Sequence, residues 1–165
     1  LQNFNPFFII ILSPVFGAIW IRLAAKQMNP STPIKFGFGL IMMAVGFLVM
    51  YFAAVIVVQG TKAGMGWLIV TSLFHTTGEL TLSPVGLSAT TKLAPRKYYS
   101  QMMGIWFVAT ALGNLIAGLF AGGFDPNDAS QVPGLFMSVV LLGVGSGIMF
   151  LIFSGFMRRW MGNVR

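Results

Sequence analysis

FGFGLIMMAVGFLVMYFAAVIVV, Phe36 to Val58, is an uninterrupted run of 23 residues without a charge. It exceeds the roughly 20 apolar residues that a bilayer-spanning helix requires. Other apolar runs in the chain reach or approach the same length, and the composition agrees: 56% of residues are hydrophobic and only 8% are charged. The mean hydropathy of +0.85 is far outside the range of a soluble domain of this size. The sequence therefore predicts an all-α integral membrane protein.

Five spans are expected, at about residues 4–21, 36–58, 65–91, 102–122 and 134–157. Short connectors rich in Pro, Gly, Asn and Asp separate them, none long enough to form a domain, so consecutive spans should be antiparallel neighbours. Sorting charges by connector gives the orientation. Arg22, Lys26 and Lys35 follow the first span, Lys62 alone follows the second, and Lys92, Arg96 and Lys97 follow the third. Asp125 and Asp128 follow the fourth, and Arg158, Arg159 and Arg165 follow the fifth. Basic loops stay on the cytoplasmic side, so the amino end is expected outside and the carboxyl end inside. The net charge of +7 is thus spread over separate loops of one membrane face. That distribution suits topology and forms no nucleic-acid groove. An odd number of spans with an external start, and Leu1 in place of an initiator methionine, read as a fragment of a longer chain.

Pro14 and Pro84 fall inside spans, where each removes a backbone donor. They mark either ordinary helix irregularity or moving parts. Small residues recur every four positions at Ala109, Gly113 and Ala117, at Gly118 and Gly122, and at Gly143 and Gly147. Such spacing lets helix backbones approach closely, and packing is the expected meaning.

Glu79, the one acid before Asp125, lies near the midpoint of the third span. At about 1.5 Å rise per residue it is roughly 20 Å from either end, too deep for its side chain to reach bulk water. A carboxylate facing lipid there costs about 2.5 to 3.5 kcal/mol, so it should face protein or an aqueous pathway. Ser72, His75 and Thr76 precede it by seven, four and three residues, and Ser83 follows by four, with Gly86 and Thr90 continuing the line. These spacings put the polar groups on one helical face, opposite Leu73, Leu80 and Val85. Desolvation favours the neutral form of a carboxylate and a nearby ammonium favours the ionised one. A proton-linked amine site requires that opposition. His75, a lone histidine at helical spacing, reads first as a packing or hydrogen-bonding residue.

Asn5 stands before Pro6 with Gln2 and Asn3 nearby. These amides either cap the first helix or, if the helix begins earlier, present Asn5 to a cavity. Trp106 is either an interfacial anchor or the wall of a site. No metal-ligand cluster, phosphate-binding loop or Ser-His-Asp set is present, so no enzyme, metal or cofactor is expected, and zero cysteines exclude disulfides.

The run GELTLSPVGLSATTKLAPRKYYSQMMGIWF, Gly78 to Phe107, resembles the signature of the proton-dependent oligopeptide transporter family, a branch of the major facilitator superfamily. Gly-Glu-Leu, Ser-Pro-Val-Gly, Lys-Leu-Ala-Pro and Met-Met-Gly-x-Trp-Phe occur in order, and QNFNP at the start is similar to the family's eighth helix. The resemblance implies helices eight to twelve of a symporter that imports di- and tripeptides with H+ as coupling ion, in a bacterial inner membrane. It implies that Glu79 faces the peptide amino terminus and that Ser83 and Asn5 are polar cavity residues. Trp106 becomes an aromatic wall, Leu87 and Met103 a cytoplasmic constriction, and Pro84 a bending point. The amino-terminal bundle that would complete the pathway is expected elsewhere, and this chain's partners would be that bundle, peptides and membrane lipid. A same-family transporter of another substrate, such as nitrate, and a non-transporting membrane subunit are the rival readings.

Overall fold

The computed structural model describes residues 4–26, 30–123 and 128–161. Gln2, Asn3, Asp125 and Arg165 lie outside them, as do the side chains of Arg96, Arg158 and Arg159. Five long helices are described: α1 (Phe4–Ala25), α2 (Thr32–Val58), α3 (Met65–Leu93), α4 (Tyr99–Gly122) and α5 (Val132–Met161). Short 3-10 turns, Arg96–Tyr98 and Ala129–Gln131, precede α4 and α5. Several helices run past the apolar spans into their polar flanks, because a backbone leaving hydrocarbon keeps its internal hydrogen bonds until a breaker intervenes. Pro33 fits the first turn of α2, where its missing N–H costs nothing. Gly60, at φ 83°, turns the chain from α2 into α3.

Four helices, α1, α2, α4 and α5, are long and apolar enough to cross a membrane. The exception, α3, is the helix on which the polar residues are concentrated. Much of its polarity is settled internally: the hydroxyls of Thr77, Thr81 and Thr90 donate to the carbonyls of Leu73, Thr77 and Gly86 one turn back. Thr81 can therefore be fully buried without an unsatisfied hydroxyl.

The hub is α2, which packs against α3 on one side and α5 on the other. Its small residues explain this placement. Gly37 and Ala44 share one face, Gly39 and Gly46 another, and at 3.6 residues per turn the two rows lie about 200° apart. On the α5 side, a Cβ at Gly37 would come within 2.9 Å of Leu151, and one at Gly147 within 2.7 Å of Ile41. Phe36 and Phe150 stack across that seam with centroids 5.7 Å apart. On the α3 side, a Cβ at Gly39 would come within 2.6 Å of Leu82, and Gly78 is filled by Met43. The stripe of Gly143 and Gly147 thus packs as expected. Gly113, Gly118 and Gly122 of α4 meet nothing within 4 Å, and no described residue of α4 is buried. Helix α1 lies along α3, and α4 packs chiefly against α3 and its own leading turn among the described elements.

Candidate functional site

Packing of α1 along α3 brings Asn5 beside the middle of the polar helix. The Thr76 hydroxyl donates to Asn5 Oδ1 at 2.7 Å, and Asn5 Nδ2 donates to Glu79 Oε2 at 3.1 Å. Thr76 and Glu79 are three residues apart, on adjacent turns of one face, so a single amide can bridge them. Each end of the amide finds the chemistry it needs: its carbonyl accepts from a hydroxyl, and its NH2 donates to a carboxylate that can only accept when ionised. Thr76 is 0% exposed and fixes the deep end of the relay, whereas Glu79 is exposed. Its other oxygen, Oε1, has no hydrogen-bond partner among the described residues. Asn5 spends its side chain on α3, so its role in this geometry is to join helices rather than to cap one.

Ser83 is exposed one turn beyond Glu79, and Leu87 one turn further at 37% exposure. The same face carries Gly86, on which the Trp106 ring of α4 rests. A Cβ at Gly86 would overlap that ring and would come within 2.8 Å of Phe36 from α2. Gly86 is therefore the seat that lets an indole approach the backbone of α3. Seven residues separate Gly86 from Glu79, about 10 Å along the helix axis. Trp106 also borders an apolar cleft of about 310 Å³ between the end of α3 and the start of α4, with Thr90, Leu93, Ala94, Met102 and Ile105. Met103 is half-buried three residues before Trp106, and Pro84 is exposed within a helix that remains continuous from Met65 to Leu93.

The polar face read from spacing is divided by the tertiary structure. His75 turns to α2: its ring fills the space left by Gly46 and packs on Phe47 with centroids 4.5 Å apart. The Met43 carbonyl meets the ring, while Nε2 is buried without a partner. Glu79 and Ser83 lie on the open side. Of the residues expected in a site, Asn5 and Glu79 are in direct contact, Ser83 follows on the same exposed edge, and Trp106 is held at the next turns by Gly86. Thr76 and Gly86 were visible in the sequence only as members of the stripe. Their roles as anchor and seat depend on partners 71 residues away at Asn5 and 20 away at Trp106.

The model of the POT family matches residues 1–148. The chain belongs to the POT family. It is 41% identical to the peptide transporter YePEPT of Yersinia enterocolitica over 99% of this chain and 32% of that protein. It is 37% identical to a di-/tripeptide transporter of Lactococcus lactis, again over 99% of this chain and 32% of the relative. A crystal structure of the peptide transporter POT superposes with a TM-score of 0.86 at 32% identity, covering 98% of this chain and 31% of that one. Another, in complex with alafosfalin, gives 0.85 at 33% identity, over 96% of this chain and 31% of that chain. The chain thus spans about a third of the length of these POT proteins, and its five helices carry the fold of an integral membrane transporter of the major facilitator type.

Proposed function

We propose that this chain is the carboxyl-terminal part of a proton-coupled symporter that imports di- and tripeptides, and that Glu79 receives the peptide amino terminus. The supporting observation is the relay Thr76–Asn5–Glu79, which fixes one carboxylate oxygen between two helices and leaves the other open at mid-helix depth. A carboxylate held this way offers an ammonium group a charge-assisted hydrogen bond without first having to be ordered. A proton competes for the same oxygen, so binding of a cation and protonation are linked. Asn5 and Ser83 supply polar contacts beside it, and Trp106 closes the apolar side about 10 Å along the axis.

Alternating access requires two bundles that rock around a central site. The five helices form most of one bundle, and the partner is an amino-terminal bundle carried by the rest of the transporter. Leu87 of α3 and Met103 of α4 form the constriction at the basic end. Pro84 leaves the Leu80 carbonyl without its helical donor, the local weakening about which the inner half of α3 bends. The basic loops put that end in the cytoplasm of a bacterial plasma membrane.

The test is proton-driven dipeptide uptake by the full-length transporter carrying Glu79→Gln. Uptake and dipeptide affinity should both fall. Wild-type values in an equally expressed protein would remove Glu79 from the role. Competition by nitrate in place of dipeptide would instead reassign the substrate.

A further inference from the structure

Helix α4 is held loosely, with no described residue buried, yet its Trp106 ring is half-buried. Two other helices build the socket. The outer edge of the ring, Cη2 and Cζ3, lies over Gly86 of α3, and Cζ of Phe36 from α2 reaches the same point above that glycine. The two rings are therefore neighbours over one backbone position. Phe36 is braced in turn by α5, where it stacks on Phe150 with centroids 5.7 Å apart and planes 25° apart. Trp106 also borders the apolar cleft between α3 and α4, which leaves about 310 Å³ for an unrestrained ring to turn into. Gly86 supplies the seat, and Phe36 is the aromatic neighbour that favours the seated position.

The seat has a defined place relative to the carboxylate. Seven residues carry α3 through nearly two full turns, so Gly86 lies within about 20° of the side that bears Glu79 and about 10 Å further along the axis. In the other direction along that row, Asn5 bridges Thr76 to Glu79. A ligand whose amine rests on the open oxygen of Glu79 is thus turned away from α1 and extends past exposed Ser83 toward the Trp106 ring. An extended peptide spans about 3.4 Å per residue, so two residues fall short of the ring, three reach it at about 10 Å, and a fourth collides with it.

We infer that Phe36 is a positioning residue: acting through Trp106, it holds the indole on Gly86 as the end stop of a substrate row three residues long. This role rests on the proposal that Glu79 receives the peptide amino terminus, and it adds the element that limits peptide length from that point. Phe36 lies on α2, outside the helices that supply Glu79 and Trp106, and its brace on Phe150 ties the stop to α5 as well.

The experiment is competition by di-, tri- and tetra-alanine for a labelled dipeptide bound to the full-length transporter. The wild type should bind tri-alanine about tenfold more tightly than tetra-alanine. Phe36→Ala should narrow that ratio about fivefold, while di-alanine stays within about twofold of its wild-type affinity. Trp106→Ala should narrow it as much, and Phe36→Ala should add nothing in that background, because both act through one ring. If Phe36→Ala does not fold, Phe36→Leu, which lacks the ring but fills part of its space, should show the same narrowing at smaller size. A uniform loss for all three peptides, or an added loss in the double variant, marks a merely structural residue and overturns the inference. So does a narrowed ratio in Trp106→Ala with none in the Phe36 variants, or a wild type that does not prefer tri-alanine to tetra-alanine. An unchanged ratio in Trp106→Ala removes the wall together with its positioning residue. Failure of the underlying proposal is seen separately, as wild-type affinity for all three peptides in Glu79→Gln.

Discussion

The two edges of α3's polar face behave differently although they share a helix and a spacing. On one edge His75 and Gly78 are pressed into α2, where Gly46 and Met43 are shaped to receive them. On the other, Glu79, Ser83 and Leu87 remain open, and among the described residues Glu79 is restrained by one hydrogen bond, from Asn5. The difference separates polarity that assembles the bundle from polarity left free to bind. Two titratable side chains four residues apart therefore have different tasks, and the neighbour each finds decides which.

The largest effect should come from Glu79→Gln. Truncating a charge that meets an opposite charge away from water costs about 2 kcal/mol or more, roughly thirtyfold in dipeptide affinity. Equilibrium competition with a labelled dipeptide would measure it, and an unchanged affinity would erase the distinction between the edges. On the closed edge, Gly46→Leu should leave the His75 ring no space and destabilise the protein by about 1–3 kcal/mol. That appears as a lower Tm, while molecules still folded keep their dipeptide affinity.

Asn5→Ala should have a smaller effect, about 1 kcal/mol or roughly fivefold in affinity, the scale of an interhelical hydrogen bond in a membrane. Thr76→Val should lose a similar amount, and the double variant should lose little more, because both remove one relay. Fully additive losses would show that Thr76 and Asn5 act separately. His75→Phe retains a ring of similar shape against Phe47 and should keep uptake within about twofold. A tenfold loss would move His75 to the open edge's function.

The smallest effect concerns the acidic connector. The Ser130 hydroxyl, the Gln131 amide and the Ser130 backbone N–H all donate to Asp128 and hold its carboxyl below its ordinary range. Because the folded form is the more acidic, its contribution is complete above the ordinary carboxylate range. It is lost as the pH falls through the lowered value. The hydrogen-exchange protection of the Ser130 amide, corrected for the intrinsic rate at each pH, should fall only on strong acidification, and protection that falls near neutral pH would contradict this assignment.

A similar contrast between α4 and α5 shows why sequence stops short. Both carry small residues every four positions, and both stripes predict close packing. Gly143 and Gly147 meet α2, while Gly113 and Gly118 face open space in this chain. A glycine states that something can come close. It does not state what, because the partner lies on a distant segment or outside the chain.

By itself the sequence determined an all-α membrane protein, five long helices, the depth of the single mid-helix acid, and, through the GEL, SPVG and MMGxWF motifs, the POT family. These follow from local quantities: apolar run length, helical period and the cost of charge in hydrocarbon. Only the tertiary structure decided that Asn5 bridges Thr76 to Glu79, that Gly86 seats Trp106, and that His75 belongs to the α2 seam. It also placed the Lys35 ammonium over the Trp20 ring. Each depends on which helix lies against which, a property set by small-residue surfaces meeting across the bundle rather than by the spacing within any one helix.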